Sequence, residues 1–174
     1  TMNADGTGLT RLTNVVGQYD WYPSWSPKGD RIAFYSTRNN HDMDFFVMNA
    51  DGTGVVNLSK SSLQDMGRHD LYPWSPDGTR LLFVRLFSAG EASIFMAPAD
   101  GSGVTRLTDC GKADGYPAWS PDGSQIAFSS NRDGDYEIYV MNADGTGQTR
   151  LTNVLGNDLL PRWSPDGTRI AFDS

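Results

Sequence analysis

The string Trp119-Ser120-Pro121-Asp122-Gly123 decides the fold of this 174-residue chain, because the sequence repeats it. The same pattern, Trp-Ser-Pro-x-Gly, begins at Trp25, Trp74 and Trp163, so the four copies lie 49, 45 and 44 residues apart. A second string, Ala-Asp-Gly-x-Gly, also occurs four times, at Ala4, Ala50, Ala99 and Ala143. A regular period of this length indicates a repeat protein in which each copy is one supersecondary unit.

One copy, residues 114–153, is predicted to form four short strands. A turn follows the first strand, since Pro121 presets φ and Gly123 accepts a positive φ. Residues 124–130 alternate polar and apolar side chains, and residues 136–141 are rich in β-branched and aromatic ones, as strands are. We therefore predict an all-β fold, a four-bladed β-propeller of four-stranded antiparallel blades, with the repeated tryptophans between the blades.

The two ends of the chain are predicted to share the last blade of a single domain, residues 1–174. Residues 1–6 match the end of a third strand, and residues 170–174 match a second strand. The N-terminal strands, within residues 1–14, would complete the blade that residues 158–174 begin, and this would close the ring. About nine residues of the third strand and its turn are lacking at this seam. Two other interpretations stay open: two chains that close an eight-bladed ring together, and a fragment of a larger propeller.

The composition narrows the class of partner. The chain has 14 basic and 21 acidic residues, a net charge of −7, whereas nucleic-acid binders need a basic face for phosphates. No apolar run is long enough to span a bilayer, and the single cysteine, Cys110, allows no internal disulfide. We predict a protein or peptide partner, no nucleic acid and no membrane insertion. Whether the chain is a monomer or a dimer stays undecided.

Three segments of one copy, residues 117–123, 126–134 and 138–145, resemble the repeat of the TolB β-propeller family. The resemblance recurs four times and covers essentially the whole chain. It implies a propeller fold, a channel that can hold cations, and a periplasmic or extracellular location. The propeller of TolB itself has six blades, so four copies are a departure from it. The same repeat occurs in propellers attached to peptidases, and a shared fold does not settle function.

An aspartate lies three residues before a proline in each copy, just ahead of the repeated tryptophan. The four are Asp20, Asp70, Asp114 and Asp158. Each would lie at the start of an innermost strand, so a ring would gather four carboxylates at the mouth of its channel. Like charges so close repel unless a cation neutralises them, and oxygen-only ligands suit Ca²⁺ or Mg²⁺. We predict such a cation there; the alternative is that each aspartate caps the turn before its strand.

The loops on one face vary most from copy to copy, and they carry the predicted ligand-binding residues. These are Trp21, Arg38, His41, Arg68, His69 and Arg132. The alternatives are solvated loop residues and, for Trp21, a buried role. The sequence has no nucleophile elbow and no phosphate-binding loop. We therefore predict a non-catalytic propeller that recognises a protein or peptide through these loops. The alternative is a sugar-binding or metal-dependent hydrolytic propeller.

Overall fold

The computed structural model describes residues 1–39, 43–60, 63, 65, 73–87 and 90–174. Thirteen β-strands lie in these ranges, and none of the described residues is in an α-helix. The strands are β1 (Asp20–Trp25), β2 (Arg31–Ser36), β3 (Asp44–Asn49), β4 (Val56–Asn57), β5 (Arg80–Leu86), β6 (Ala92–Pro98), β7 (Thr105–Arg106), β8 (Asp114–Trp119), β9 (Gln125–Ser130), β10 (Glu137–Asn142), β11 (Thr149–Arg150), β12 (Leu159–Trp163) and β13 (Ile170–Asp173). Within the described ranges, no helix has the length and apolar character needed to cross a membrane.

The strands form four antiparallel sheets that follow one another along the chain. The first blade is β1-β2-β3-β4, the second is β5-β6-β7, the third is β8-β9-β10-β11 and the fourth is β12-β13. In the second blade Trp74 forms an antiparallel bridge to Leu81, at the place that β1 and β8 occupy in their own blades. These sheets confirm the predicted all-β fold and its antiparallel blades.

Neighbouring blades pack face to face. We call the face that carries the repeated tryptophan the Trp face, and the opposite one the back face. The back face of the first blade meets the Trp face of the second across a core that includes Tyr35, Phe45 and Phe83. The back face of the second blade meets the Trp face of the third around Ile94 and Phe128. Because strands send alternate side chains to opposite faces, a blade with apolar residues on both faces needs a neighbour on each side.

Three of the four repeated tryptophans, Trp74, Trp119 and Trp163, also tie their blades to the preceding one. The indole Nε1 of each donates a hydrogen bond to the main-chain carbonyl that lies one residue before the preceding blade's tryptophan. The three bonds are Trp74 to Ser24 (3.1 Å), Trp119 to Pro73 (3.2 Å) and Trp163 to Ala118 (3.1 Å). A buried indole needs a partner for its N–H, and the neighbouring blade supplies it. The predicted place between the blades is confirmed for these three tryptophans, whereas Trp25 is 51% exposed on the Trp face of the first blade.

The N-terminal segment, residues 1–14, packs on the Trp face of the first blade. Leu12 lies against the cluster around Phe34, as Leu58 and Leu107 lie in the two internal cores. Residues 1–14 form no strand, and among the described residues β13 pairs only with β12. The predicted closure, in which residues 1–14 complete the blade begun by residues 158–174, is therefore not confirmed, nor is the count of four complete blades. The segment instead lies on the face of the first blade that points away from the second.

Gly145 lies where two blades approach closely, so it is sensitive to replacement by a residue with a Cβ. Its φ is +90°, and a Cβ there would lie 2.9 Å from the carbonyl oxygen of Leu107 in the preceding blade. Gly123, in the same blade, has a φ of +70°, but its nearest neighbour would be Pro76 Cδ at 3.5 Å, an ordinary contact.

We expect Gly145→Ala to lower the free energy of unfolding by about 1–2 kcal/mol more than Gly123→Ala does, because only the former adds an inter-blade clash to the backbone strain. Urea unfolding of the two variants measures the difference. Equal losses would contradict the close blade contact.

Candidate functional site

An aspartate, an arginine and two aromatic rings form one stack in the first blade. It lies on the loop face, which we define as the face carrying Asp20, Asp114 and the turns after β2 and β9. Arg38 Nη2 donates to Asp20 Oδ1 over 3.0 Å, and its guanidinium carbon lies 4.8 and 5.0 Å from the ring centres of Phe34 and Phe46. Burial raises the pKa of Asp20, but hydroxyl hydrogen bonds and Arg38 lower it by more, so this carboxylate is ionised.

The third blade repeats the stack with a more deeply buried carboxylate. Arg132 Nη2 donates to Asp114 Oδ1 over 3.1 Å, and its guanidinium carbon lies 5.3 and 4.7 Å from the ring centres of Phe128 and Tyr139. The Cys110 thiol donates to the other oxygen of Asp114. Burial and then the charge of Asp114 raise the pKa of this thiol, which makes Cys110 a poor nucleophile near neutral pH.

The second blade builds its stack from different sequence positions. Arg85 comes from within β5 and donates from Nε to Asp65 Oδ1 over 2.9 Å. Its guanidinium carbon lies 5.4 and 4.6 Å from the ring centres of Phe83 and Phe95. Burial raises the pKa of Asp65 to about 6, and the charge of Arg85 offsets only part of that effect. Asp70, the predicted member of this blade, lies outside the described residues.

The fourth blade has the aspartate, but no described arginine is hydrogen-bonded to it. Asp158 is fully buried, and neither of its carboxylate oxygens has a hydrogen-bond partner among the described residues. Its main-chain N–H donates to the carbonyl of Tyr136. A buried carboxyl group without hydrogen-bond partners costs free energy of folding.

The predicted channel cation stays a prediction. No group of three or more His, Cys, Asp or Glu side chains with metal-binding geometry occurs in the described part of the chain. Asp20 and Asp114 each face an arginine, and a guanidinium against a carboxylate opposes a divalent cation at the same oxygen. Of the three described aspartates, only Asp158 has both oxygens without a partner. The donor set therefore fits a Ca²⁺ or Mg²⁺ ring poorly.

The predicted ligand-binding residues have separate positions. Arg38 and Arg132 occupy the stacks of the first and third blades, where they are held by ion pairs and rings. Trp21 stacks on Tyr19 with ring centres 5.5 Å apart. His41, Arg68 and His69 lie outside the described residues. No contact joins the three described residues into one site, so their role in binding also stays a prediction.

A small pocket of about 200 Å³ opens where β5, β8 and the start of β12 meet. Its wall is mostly apolar, and its lining includes Val84, Leu86, Tyr116, Tyr136 and Leu159. Tyr116 has a φ of +53° at a register shift of β8, a bulge that redirects side chains on an innermost strand. The same positive φ recurs at the matching bulges of the first and fourth blades, so it belongs to the repeat.

The comparison with protein families identifies the family of the chain. The family model described as the TolB beta propeller domain matches residues 72–174, more than half of the sequence. The chain belongs to the TolB beta propeller domain family. A search of the curated proteins gave no match.

Several solved structures share this TolB-type fold. A protein of Agrobacterium tumefaciens described as a TolB is 26% identical over 86% of this chain and 52% of its own, with a TM-score of 0.72. TolB from Acinetobacter baumannii is 23% identical over 98% of this chain and 41% of its own, with a TM-score of 0.73. An oligogalacturonate lyase in complex with manganese is 20% identical over 98% and 49%, with a TM-score of 0.71. The TolB-family chain thus spans about half the length of these structures.

Sequence analysis missed Asp65 and Arg85. The Asp-x-x-Pro spacing directed attention to Asp70, and the second copy has no arginine two residues after the end of its second strand. A usable signal was present: Arg85 interrupts an apolar strand between Val84 and Leu86. A charge in such a strand is rarely buried unless it is paired, which points to an acidic partner nearby.

The carboxylates in the stacks of the first and third blades differ in burial, and this predicts unequal losses of stability when the arginines are replaced. We expect Arg132→Met to lower the free energy of unfolding by about 3 kcal/mol, because it leaves the buried Asp114 without its cation. Arg38→Met should cost about 1 kcal/mol, because Asp20 is partly solvated and retains water as a partner. Urea unfolding at pH 7 measures both values. A larger loss for Arg38→Met would contradict the structural role assigned to the third-blade stack.

The raised pKa of Asp65 predicts a pH dependence of stability. Below about pH 4 this carboxyl is protonated in both states. Between about pH 4 and 6 only the folded protein holds the proton, so the free energy of unfolding falls as the pH rises, and the loss is complete above pH 6. Asp65→Asn should remove this slope. The aspartates of the Ser-Pro-Asp-Gly turns have pKa values lowered to about 2. Their effect on the free energy of unfolding falls below pH 4 and has the opposite sign, because there the free energy of unfolding rises as the pH rises. An unchanged slope in Asp65→Asn would refute the assignment.

Proposed function

We propose that this TolB-family chain is a non-catalytic binding propeller that recognises a peptide segment of a protein partner through its loop face. The pocket between β5, β8 and β12 is the observation that supports this proposal. It is apolar, it is bordered by Tyr116 and Tyr136, and it joins three blades at one point. A pocket of about 200 Å³ is too small for a large ligand but suits one apolar or aromatic side chain of a peptide.

The charges around the pocket support binding rather than chemistry. Asp114, the acidic residue of its lining, is engaged by Arg132 and by the thiol of Cys110. A carboxylate held in an ion pair is a weak general base, and the raised pKa of Cys110 disfavours nucleophilic attack. A partner would therefore gain affinity by burying apolar surface between the tyrosines. The resemblance to TolB favours a periplasmic or extracellular location for that encounter.

The rival function is a metal-dependent or sugar-directed activity in the channel. One observation favours it: Asp158 is buried and has no hydrogen-bond partner among the described residues, and carboxylate oxygens are ligands that a divalent cation prefers. The oligogalacturonate lyase with manganese shares the fold at 20% identity, and at that identity the likeness extends to the fold alone.

The pocket can be tested with a matched pair of tyrosines. Peptides that bind the chain are first selected from a random phage-displayed library, and their affinity is measured by calorimetry. We expect Tyr116→Ala to weaken the selected peptides at least about tenfold, because it removes one wall of the pocket. Tyr22→Ala, at the same bulge position of the first blade and outside this pocket, is the control and should leave the affinity unchanged.

Two results would contradict the proposal. One is an equal loss of affinity in both tyrosine variants. The other is cleavage of oligogalacturonate by the chain in the presence of Mn²⁺, which would replace binding with the rival enzymatic function.

A further inference from the structure

Gly115 is a point at which the third copy of the repeat differs from the others. It directly follows Asp114 in the Asp-x-x-Pro pattern. The corresponding residues of the other three copies are all large and apolar: Trp21, Leu71 and Leu159. The repeat as such therefore does not require a glycine at this position, and the third copy alone has no side chain there.

The backbone conformation does not explain the glycine either. Gly115 lies within β8 and pairs with Ser129 of β9. It is not one of the described glycines that have a positive φ, so its backbone would accept a residue with a side chain. A glycine inside a strand packs nothing and often marks a place that a ligand approaches closely. The reason for Gly115 therefore lies in the space beside it.

The space beside Gly115 is the pocket of about 200 Å³ between β5, β8 and β12. Gly115 is buried and lines this pocket, together with Val84 and Leu86 of the second blade. Leu159, at the same position of the fourth blade, lines it as well and contributes a side chain to its wall. Because Gly115 contributes only main chain, a large side chain at position 115 would occupy volume that the pocket leaves open.

The polar groups of the pocket favour an uncharged occupant. Asp114, the acidic residue of its lining, already accepts hydrogen bonds from Arg132 and from the thiol of Cys110. Burial raises the pKa of Tyr116 and that of Tyr136, so both hydroxyls are protonated at neutral pH. An entering ammonium or carboxylate group would lose its hydration and would meet only a carboxylate that is already paired.

We propose that Gly115 opens this pocket for a leucine side chain of the partner peptide, so that the partner supplies the side chain that the other copies carry themselves. This inference rests on the proposed peptide-binding function and names the residue that enters the pocket. Two of the three corresponding residues are leucines, and the pocket wall is mostly apolar. An apolar cavity of roughly 150 Å³ holds one benzene molecule, and the branched side chain of leucine is of similar size.

A small leucine probe tests the pocket without a selected peptide. N-acetyl-leucinamide is titrated to millimolar concentration into the isotope-labelled chain, because a ligand with so few atoms binds weakly. We expect it to shift the amide NMR signals of Gly115 and Tyr136, which line the pocket. Gly115→Leu should abolish the shift at Tyr136, because the new side chain fills the space that the probe needs.

Two further variants control for effects on the fold. Gly103→Leu is the matched control, because Gly103 also has no positive φ, is exposed, and has no atom of a distant residue within 4 Å of its added Cβ. This variant should bind the probe as the wild type does. Gly115→Ala adds a single methyl group and decides the question if Gly115→Leu does not fold. It should weaken the probe about fourfold while the midpoint of thermal unfolding does not fall.

Three results would overturn the inference: no shift at Gly115 or Tyr136 in the wild type, unchanged binding in both Gly115 variants, and larger shifts with N-acetyl-tryptophanamide than with the leucine probe. The last would assign the pocket to an aromatic side chain. The proposed function is judged separately. Selected peptides that depend on Tyr116 but contain no leucine would support that function and refute this inference. A leucine probe that binds while no peptide is selected would do the reverse.

Discussion

The hydrogen bond that the indoles of Trp74, Trp119 and Trp163 each donate to the preceding blade is the contact on which the rest of the structure depends. It is a polar bond inside an otherwise apolar boundary, and it therefore fixes the orientation of one sheet on the next in a way that apolar packing alone does not. The glycine turns allow the blades to approach closely, and the leucines after the last strands fill the space that remains. One tryptophan per copy is enough to repeat this boundary along the chain.

Blades with two apolar faces stack on one another, and an apolar core forms at the boundary between them. The two boundaries between the first three blades bury their tryptophans and the leucines that follow the last strands. The stacks of aspartate, arginine and aromatic rings on the loop face are distinct from these apolar cores. They hold carboxylates against arginines that cover aromatic rings. Asp158 is the exception, because it is buried and has no hydrogen-bond partner in the part of the chain that the structure describes.

The sequence predicts the fold well, because strand and turn signals act over a few residues and recur with one period. The meander of residues 114–153 and the inter-blade tryptophans are both found in the structure. The site is predicted less well, because its partners are distant along the chain. The pairing of Asp20 with Arg38, and that of Asp65 with Arg85, joins residues 18 and 20 positions apart. Ring closure stays a prediction, since it depends on the angle between blades, which no local pattern encodes.

Hydrogen exchange of the indole N–H groups, followed by NMR, tests the central role of the inter-blade bonds most directly. The account predicts strong protection for Trp74, Trp119 and Trp163, whose indoles donate to the preceding blade. Trp21 is the internal reference, because no described residue accepts a bond from its indole, and it should exchange rapidly. Exchange of the three inter-blade indoles as fast as that of Trp21 would contradict the account.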